Sequence, residues 1–202
     1  IQHLLLGIDH PHVASSLNYL AALYYYQGRY SEAEPLYQEA LTMRKQLLGD
    51  EHPDVAQSLN NLGWFYQRQE HYEKAKPLLI ETVELFRRLL GHEHPNLAIS
   101  LNNLARCYRE QEDYDEAEVF CQEALANVES SLHQDHELQG RFLDDFGKLR
   151  AAQGLTKEAK AIYQQALGIL EPKLGVEHAW TVQCREHLNE LKGPDVMTDR
   201  SS

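Results

Sequence analysis

The sequence predicts an all-α solenoid of antiparallel helix pairs closed by a C-terminal capping helix, and three observations predict it. A phrase returns every 42 residues, as Leu6-Gly7-x-x-His10-Pro11, Leu48-Gly49-x-x-His52-Pro53 and Leu90-Gly91-x-x-His94-Pro95, with weaker copies at Leu132/His136 and Leu174-Gly175/His178. Between copies lie two stretches whose apolar residues recur at helical spacing. Small residues recur with the same period, at Ala33/Ala75/Ala117 and Ala40/Thr82/Ala124. A fixed period of this length means one supersecondary unit stacked on copies of itself, each burying its apolar face against its neighbours.

The first helix of each unit is expected over 13–27, 55–69 and 97–111, with Leu59, Leu62, Gly63 and Tyr66 as its packing stripe in the second unit. Between the helices Gly28 marks the turn of the first unit, but Glu70 and Glu112 stand at the equivalent positions. That replacement argues against a strict left-handed backbone requirement there. The second helix is expected over 31–47, 73–89 and 115–132, its small residues letting two backbones approach. Proline after histidine suits the first turn of a helix, where a missing N–H costs nothing, so each His-Pro is a helix start. The fourth unit degrades: Glu137 replaces proline and Leu143-Asp144-Asp145-Phe146-Gly147 replaces the Leu-Asn-Asn-Leu-Ala of the third. A final helix over 179–191 has no following unit to cover it, as a cap should. One solenoid domain over 1–192 is expected, with units at about 11–52, 53–94, 95–136 and 137–178, then a disordered tail over 193–202. The opening Leu4-Leu5-Leu6-Gly7 repeats the end of a second helix, so the chain is expected to continue a longer array.

Leu59-x-x-Leu62-Gly63-x-x-Tyr66, followed by Tyr72, Ala75 and Leu79, resembles the tetratricopeptide repeat. The 42-residue spacing resembles the long-helix variety found in kinesin light chains and in many bacterial signalling proteins. This resemblance covers nearly the whole chain and implies a right-handed superhelix whose first helices line the concave side. It also implies a protein-binding role, kinesin light chains holding short peptides with tryptophan and acidic residues in such grooves.

At about 100° per residue, each first helix carries a second stripe roughly opposite its packing stripe. With the implied orientation this stripe faces the groove. It contains Asn18, Tyr25 and Tyr26 in the first unit, Asn60, Trp64 and Arg68 in the second, Asn102, Arg106 and Arg109 in the third, and Arg141, Asp144 and Lys148 in the fourth. The stretches 13–27, 55–69 and 97–111 hold three arginines against one glutamate, so the remainder of a chain of net charge −12 carries −14. That polarity would steer an acidic partner to the groove. Amides at Asn18, Asn60 and Asn102 can donate to and accept from a peptide backbone, arginine forks select carboxylate or phosphate, and Trp64, Tyr25 and Tyr26 suit an apolar anchor. The competing reading makes the asparagines local hydrogen-bonding groups, especially Asn61 and Asn103, and makes the arginines ordinary surface charge. Tyr24, Tyr66 and Tyr108 fall on the packing stripe and are expected in the core.

Other function classes find little support. The acidic balance speaks against general binding of nucleic acid or anionic membrane. No apolar run approaches the roughly 18 to 20 residues of a membrane span. No signal peptide is recognisable, and Cys107, Cys121 and Cys184 show no metal or redox spacing, so a cytoplasmic protein is expected, with the thiols small and buried. Five of the eleven histidines recur at helix starts, so neither they nor His92-Glu93-His94 nor His133/His136 are assigned to metal, and no cofactor is expected. No phosphate loop, zinc-protease motif or nucleophile elbow is present, and Asp144-Asp145 are neighbours on a helix whose side chains diverge, so no enzyme is expected. The expected function is a module that binds an extended, acidic peptide in its concave groove. The alternatives are a structural array with end-to-end self-association, or the regulatory sensor arm of a larger signalling protein.

Overall fold

A computed structural model of the chain describes residues 11–131 and 136–191. The expected tail over 193–202 and the start of the chain lie outside these described residues. Among them the fold is all-α: α1 (Pro11–Tyr26), α2 (Tyr30–Leu48), α3 (Pro53–Arg68), α4 (Tyr72–Leu90), α5 (Pro95–Glu110), α6 (Tyr114–Ser131), α7 (Glu137–Ala152), α8 (Thr156–Leu174) and α9 (Ala179–Glu190). They pack as sequential antiparallel pairs, α1 on α2, α3 on α4, α5 on α6 and α7 on α8, with α9 laid on α7 and α8.

The recurring phrase is a helix stop followed by a helix start. Gly49, Gly91 and Gly175 end α2, α4 and α8 with φ of 79°, 81° and 88°, each N–H donating to the carbonyl four residues back. A positive φ of this size favours glycine, which has no Cβ to clash. Three residues after it a histidine caps the next helix. Nδ1 of His52, His94, His136 and His178 accepts the N–H of Asp54, Asn96, Leu138 and Trp180 at 3.1, 3.2, 3.2 and 3.3 Å. The cap therefore survives in the last two copies, which lack proline, and the histidines satisfy a helix-end donor.

The turn inside each pair corrects the expectation that it needs no left-handed residue. Gly28 and Gly154 have φ of 75° and 78°, and Glu70 and Glu112 adopt the same region at 59° and 61°. The backbone at these turns is thus identical in all four units, as the N–H of the following residue reaches five residues back in every case, for example His71 to Tyr66 and Asp113 to Tyr108. Substitution by glutamate did not release the turn; it left a side chain in a strained one.

Ala33, Ala75, Ala117 and Ala159 at the start of the second helices are fully buried, as are Ala40, Thr82, Ala124 and Ala166 two turns on. The pairs close most tightly at Gly147, where an added Cβ would lie 2.5 Å from Cε1 of Tyr163. Apolar packing runs without a break from Ala21 through Leu59, Phe65, Phe86 and Leu101 to Phe142. A further cluster joins Leu143, Tyr163 and Leu170 to Cys184 of α9. Tyr66 is buried, while Tyr24 and Tyr108 are only partly so and pack against this core. All three cysteines are buried free thiols, and burial pushes Cys107 up to about 11 and Cys121 up to about 12, which leaves them unreactive.

Units are joined differently on their two sides. The first helices α1, α3, α5, α7 and α9 approach one another backbone to backbone, whereas the second helices of adjacent units do not. Between second helices the links are ion pairs made by long side chains, such as Lys45 Nζ to Glu81 Oε1 at 3.3 Å and Arg87 to Glu123. The array consequently bends toward its first helices, and these line the inner face.

Two stability outcomes follow from the helix ends. Relief of left-handed strain, about 1 to 3 kcal/mol, exceeds the entropic cost of glycine, about 0.5 to 1 kcal/mol. Glu70→Gly and Glu112→Gly should therefore each raise unfolding free energy by about 0.5 to 1 kcal/mol in urea titration. His94→Ala should lower it by about 1 kcal/mol through loss of its cap.

Candidate functional site

The inner face is organised by a polar ladder with a rung of 43 residues, one more than the sequence period. Asn61 Nδ2 donates to Asn18 Oδ1 at 3.4 Å, Asn103 Nδ2 to Asn60 Oδ1 at 3.3 Å, and Asn102 Nδ2 to Asp145 Oδ2 at 2.8 Å. The last rung joins Asp144 Oδ1 to Nδ1 of His187 in α9 at 2.8 Å. Asn18 also donates to Ser58 Oγ and to the Ala14 carbonyl. Asn18, Asn60 and Asn102 are buried, and all three hold neighbouring first helices in register. Asn102 retains a buried Oδ1 with no hydrogen-bond partner among the described residues.

In the fourth unit the ladder changes from amide to carboxylate, and the cations of the face gather there. Asp145 Oδ1 lies 3.3 Å from Lys148 Nζ and 3.9 Å from both Arg106 Nε and Arg109 Nη1. Burial would raise the Asp145 carboxyl, but Arg106, Lys148, Arg109 and the Asn102 amide outweigh it and hold the group well below the usual carboxylate range. Lys148 also reaches Asp144 Oδ2 at 3.0 Å, so one ammonium bridges two carboxylates whose side chains were expected to diverge. Arg109 is largely buried behind them, paired with Asp145 and Glu110.

In front of this layer opens a cavity of about 680 Å³. It is lined by eight residues of the stripe read from the sequence: Tyr25, Tyr26, Trp64, Arg68, Arg106, Arg141, Asp144 and Lys148. Asn18 instead lines an adjoining cavity of about 460 Å³ that shares Tyr26 and Trp64 with the first. Asn60, Asn102 and Arg109 line neither cavity. One wall is aromatic, with the Tyr25 ring 4.7 Å from Trp64 and 5.3 Å from Tyr26 between centroids, and Tyr26 is 77% exposed. Arg68 Nε donates to the Tyr25 hydroxyl at 3.2 Å, which joins this wall to the cations. The opposite wall comes from the capping helix: Trp180, Gln183 and His187 complete the cavity, and the Arg141 guanidinium lies 5.0 Å from the Trp180 ring centre.

Trp180, Gln183 and His187 were not singled out in the sequence, and Asp145 was weighed only as half of an acidic pair. The signal for Asp145 was present, since the asparagine pair turns acidic in the one unit that follows the arginines. His187 stands 43 residues beyond Asp144, but α9 has no later copy with which to align it.

Among the described residues no three His, Cys, Asp or Glu side chains converge as a metal set, and no helix is long and apolar enough to cross a membrane. Helix pairs stacked in sequence around a side-chain-lined inner trough define a helical repeat protein. The chain belongs to the tetratricopeptide repeat family, whose model matches residues 1–46, 12–82, 65–130 and 109–172. Among solved structures it is similar to the nearly identical TPR-like repeats of a Podosopora anserina protein assigned as a kinesin light chain, with a TM-score of 0.75 and 25% identity over 91% of this chain and 87% of that one. It is also similar to BtubC (BKLC) from P. vanneervenii, with a TM-score of 0.71 and 28% identity over 82% of this chain and 66% of that one. No curated protein sequence matches it.

Asp145 should anchor stability as well as shape. Asp145→Asn removes the carboxylate shared by Lys148, Arg109 and Arg106, leaving Arg106 with none among the described residues, and should cost about 3 kcal/mol in urea unfolding. An unfolded aspartate titrates near 3.9, about its ordinary value, and the folded Asp145 lower, so its contribution is present above about pH 4 and is lost as pH falls below that. Stability of the wild type should thus drop more steeply from pH 5 to pH 3 than that of Asp145→Asn, measured by denaturant midpoint.

Proposed function

We propose that the protein binds an extended, acidic peptide along its inner face, with the cavity between Trp64 and Trp180 as the anchoring site. The observation that carries this reading is the set of cations in that cavity that the fold leaves without full compensation. Arg141 makes no hydrogen bond or ion pair among the described residues, and Arg68 bonds only to a tyrosine hydroxyl. Guanidinium groups in a partly dry cleft attract carboxylates strongly, and the aromatic wall beside them offers area for an apolar side chain. The adjoining cavity extends the trough past Tyr26 toward Ser15, Gln57 and Asn61, which suits a ligand of several residues. Asn18, Asn60 and Asn102 support the peptide indirectly, by fixing the spacing of the helices that carry Tyr25, Trp64 and Arg106.

A second reading, self-association at the N-terminal edge, rests on α1. Leu20 and Leu23 are 37% and 52% exposed, while their equivalents Leu62 and Leu104, and Phe65 and Cys107, are buried under the preceding unit. A helix pair of another copy would fit that face, and mass that rises with concentration in light scattering is the expected sign.

The groove is tested with an array of acidic, aromatic-containing peptides. The wild type should retain a subset of them, more weakly as salt rises. Arg68→Glu with Arg141→Glu should weaken retention tenfold or more with unchanged helical circular dichroism. Equal retention by this variant would remove the groove from the reading. Arg106 and Arg109 are avoided because they hold Asp145.

A further inference from the structure

The unpaired charge in the cavity specifies more than acidity. Four cations line it, Arg68, Arg106, Arg141 and Lys148, against two carboxylates, Asp144 and Asp145. The lining therefore carries an excess of two positive charges, and Arg109 behind the wall adds none because Glu110 pairs with it. Both carboxylates are buried and committed to ladder and ion-pair contacts with Asn102, His187 and Lys148. Asp145 faces Arg106 and Arg109 only at 3.9 Å, and neither carboxylate forms an ion pair with Arg68 or Arg141 among the described residues. Arg106 Nε is buried without a hydrogen-bond acceptor among the described residues, its nearest carboxylate oxygen being 3.9 Å away. Arg141 has only the face of Trp180. Burial depresses the Arg141 guanidinium, and although Asp145 opposes this, Arg106 and Arg68 add their repulsion, as three mutually close cations must.

We propose that the anchoring group is a phosphoryl group on the bound peptide, a phosphorylated side chain held between Arg68, Arg106 and Arg141. This rests on the peptide-binding reading and names its ligand chemistry. A single carboxylate brings one negative charge and two oxygens, which leaves a guanidinium uncompensated. A phosphoryl group brings close to two charges and three strong acceptors, matching the excess charge and the three forks. Attachment to a peptide, rather than free phosphate, follows from the shape of the site. The cavity continues past Tyr26 and Trp64 into the second trough, lined by neutral Ser15, Asn18, Gln57 and Asn61, with only Arg44 charged. That arginine is already occupied by Ser58 Oγ, Ser15 Oγ and the Asp54 carbonyl. The cations are thus concentrated toward the capping helix, and the trough beyond Tyr26 offers mainly neutral polar groups to the rest of a peptide.

The test uses the full chain and three degenerate peptide pools identical except for a central Ser, Glu or phosphoserine, with inorganic phosphate as competitor, read by fluorescence polarisation. The phosphoserine pool should bind at least tenfold more tightly than the Glu pool. That advantage should shrink as pH falls from 7.5 to 5.5, because the phosphoryl group loses its second charge near pH 6, about where no carboxylate changes state. Arg141→Ala and, independently, Arg68→Gln, a substitution on the exposed side that spares the packing, should each abolish most of the preference. Equal binding of the Glu and phosphoserine pools would overturn the proposal and leave the acidic-peptide reading standing. Binding by neither pool would remove both. Inorganic phosphate competing as well as the phosphorylated pool binds would show a small-anion site and overturn the peptide attachment.

Discussion

Everything on the inner face depends on the 43-residue ladder. A packing stripe of leucines and alanines can hold adjacent units together in more than one sliding position, because dispersion contacts are numerous and individually weak. Hydrogen bonds between buried amides tolerate much less, since a slipped rung strands a donor and an acceptor away from water. Asn18 to Asn61 and Asn60 to Asn103 therefore fix the stagger of α1, α3 and α5. With that stagger set, Tyr25 meets Trp64 and Arg68 meets the Tyr25 hydroxyl across a unit boundary.

The same ladder explains why the positive charge is concentrated in one place. An amide rung is neutral and needs nothing from its surroundings. When the rung becomes Asp144 and Asp145, two carboxylates are buried, and burial is favourable only with partners. Lys148, Arg106 and Arg109 supply these, and their long side chains crowd toward one end of the trough. Arg68 and Arg141 join the same region without a carboxylate of their own. The acid in the ladder thereby collects the base in the cavity, and the chain's overall negative charge is no guide to this local field.

The helix pairs, their caps and their order were legible because they follow from a period and from local chemistry: glycine ends a helix, histidine with proline begins one, and leucine recurs at helical spacing. Trp64, Arg68 and Arg141 were legible too, as residues that depart from the repeat without a packing reason. Asn60 and Asn102 were assigned to the ligand because their stripe is right, yet the structure engages both across unit boundaries. The 42-residue period aligns equivalent positions but is silent on the one-residue skew that brings the first asparagine of one unit to the second of the next. Trp180 and His187 escaped for a related reason, since a lone capping helix has no copies from which to read a face. Glu70 and Glu112 misled in the opposite direction: a residue type that avoids the left-handed region suggested a relaxed turn, and the bonding around that turn proved stronger than the side chain's preference.

The contrast between inner rungs made by short side chains and outer ion pairs made by long ones gives the array an uneven elasticity. Amide rungs of about 3.3 Å break if stretched by an ångström, whereas lysine, arginine and glutamate arms such as Lys45 with Glu81 can swing through several rotamers and stay in contact. Bending that spreads or closes the second helices is thus soft, and bending that parts the first helices is stiff. In mechanical terms the neutral axis lies on the inner side, as in a strap backed by an inextensible tape. The molecule can flex with whatever carries it while the distances across its inner face stay nearly constant.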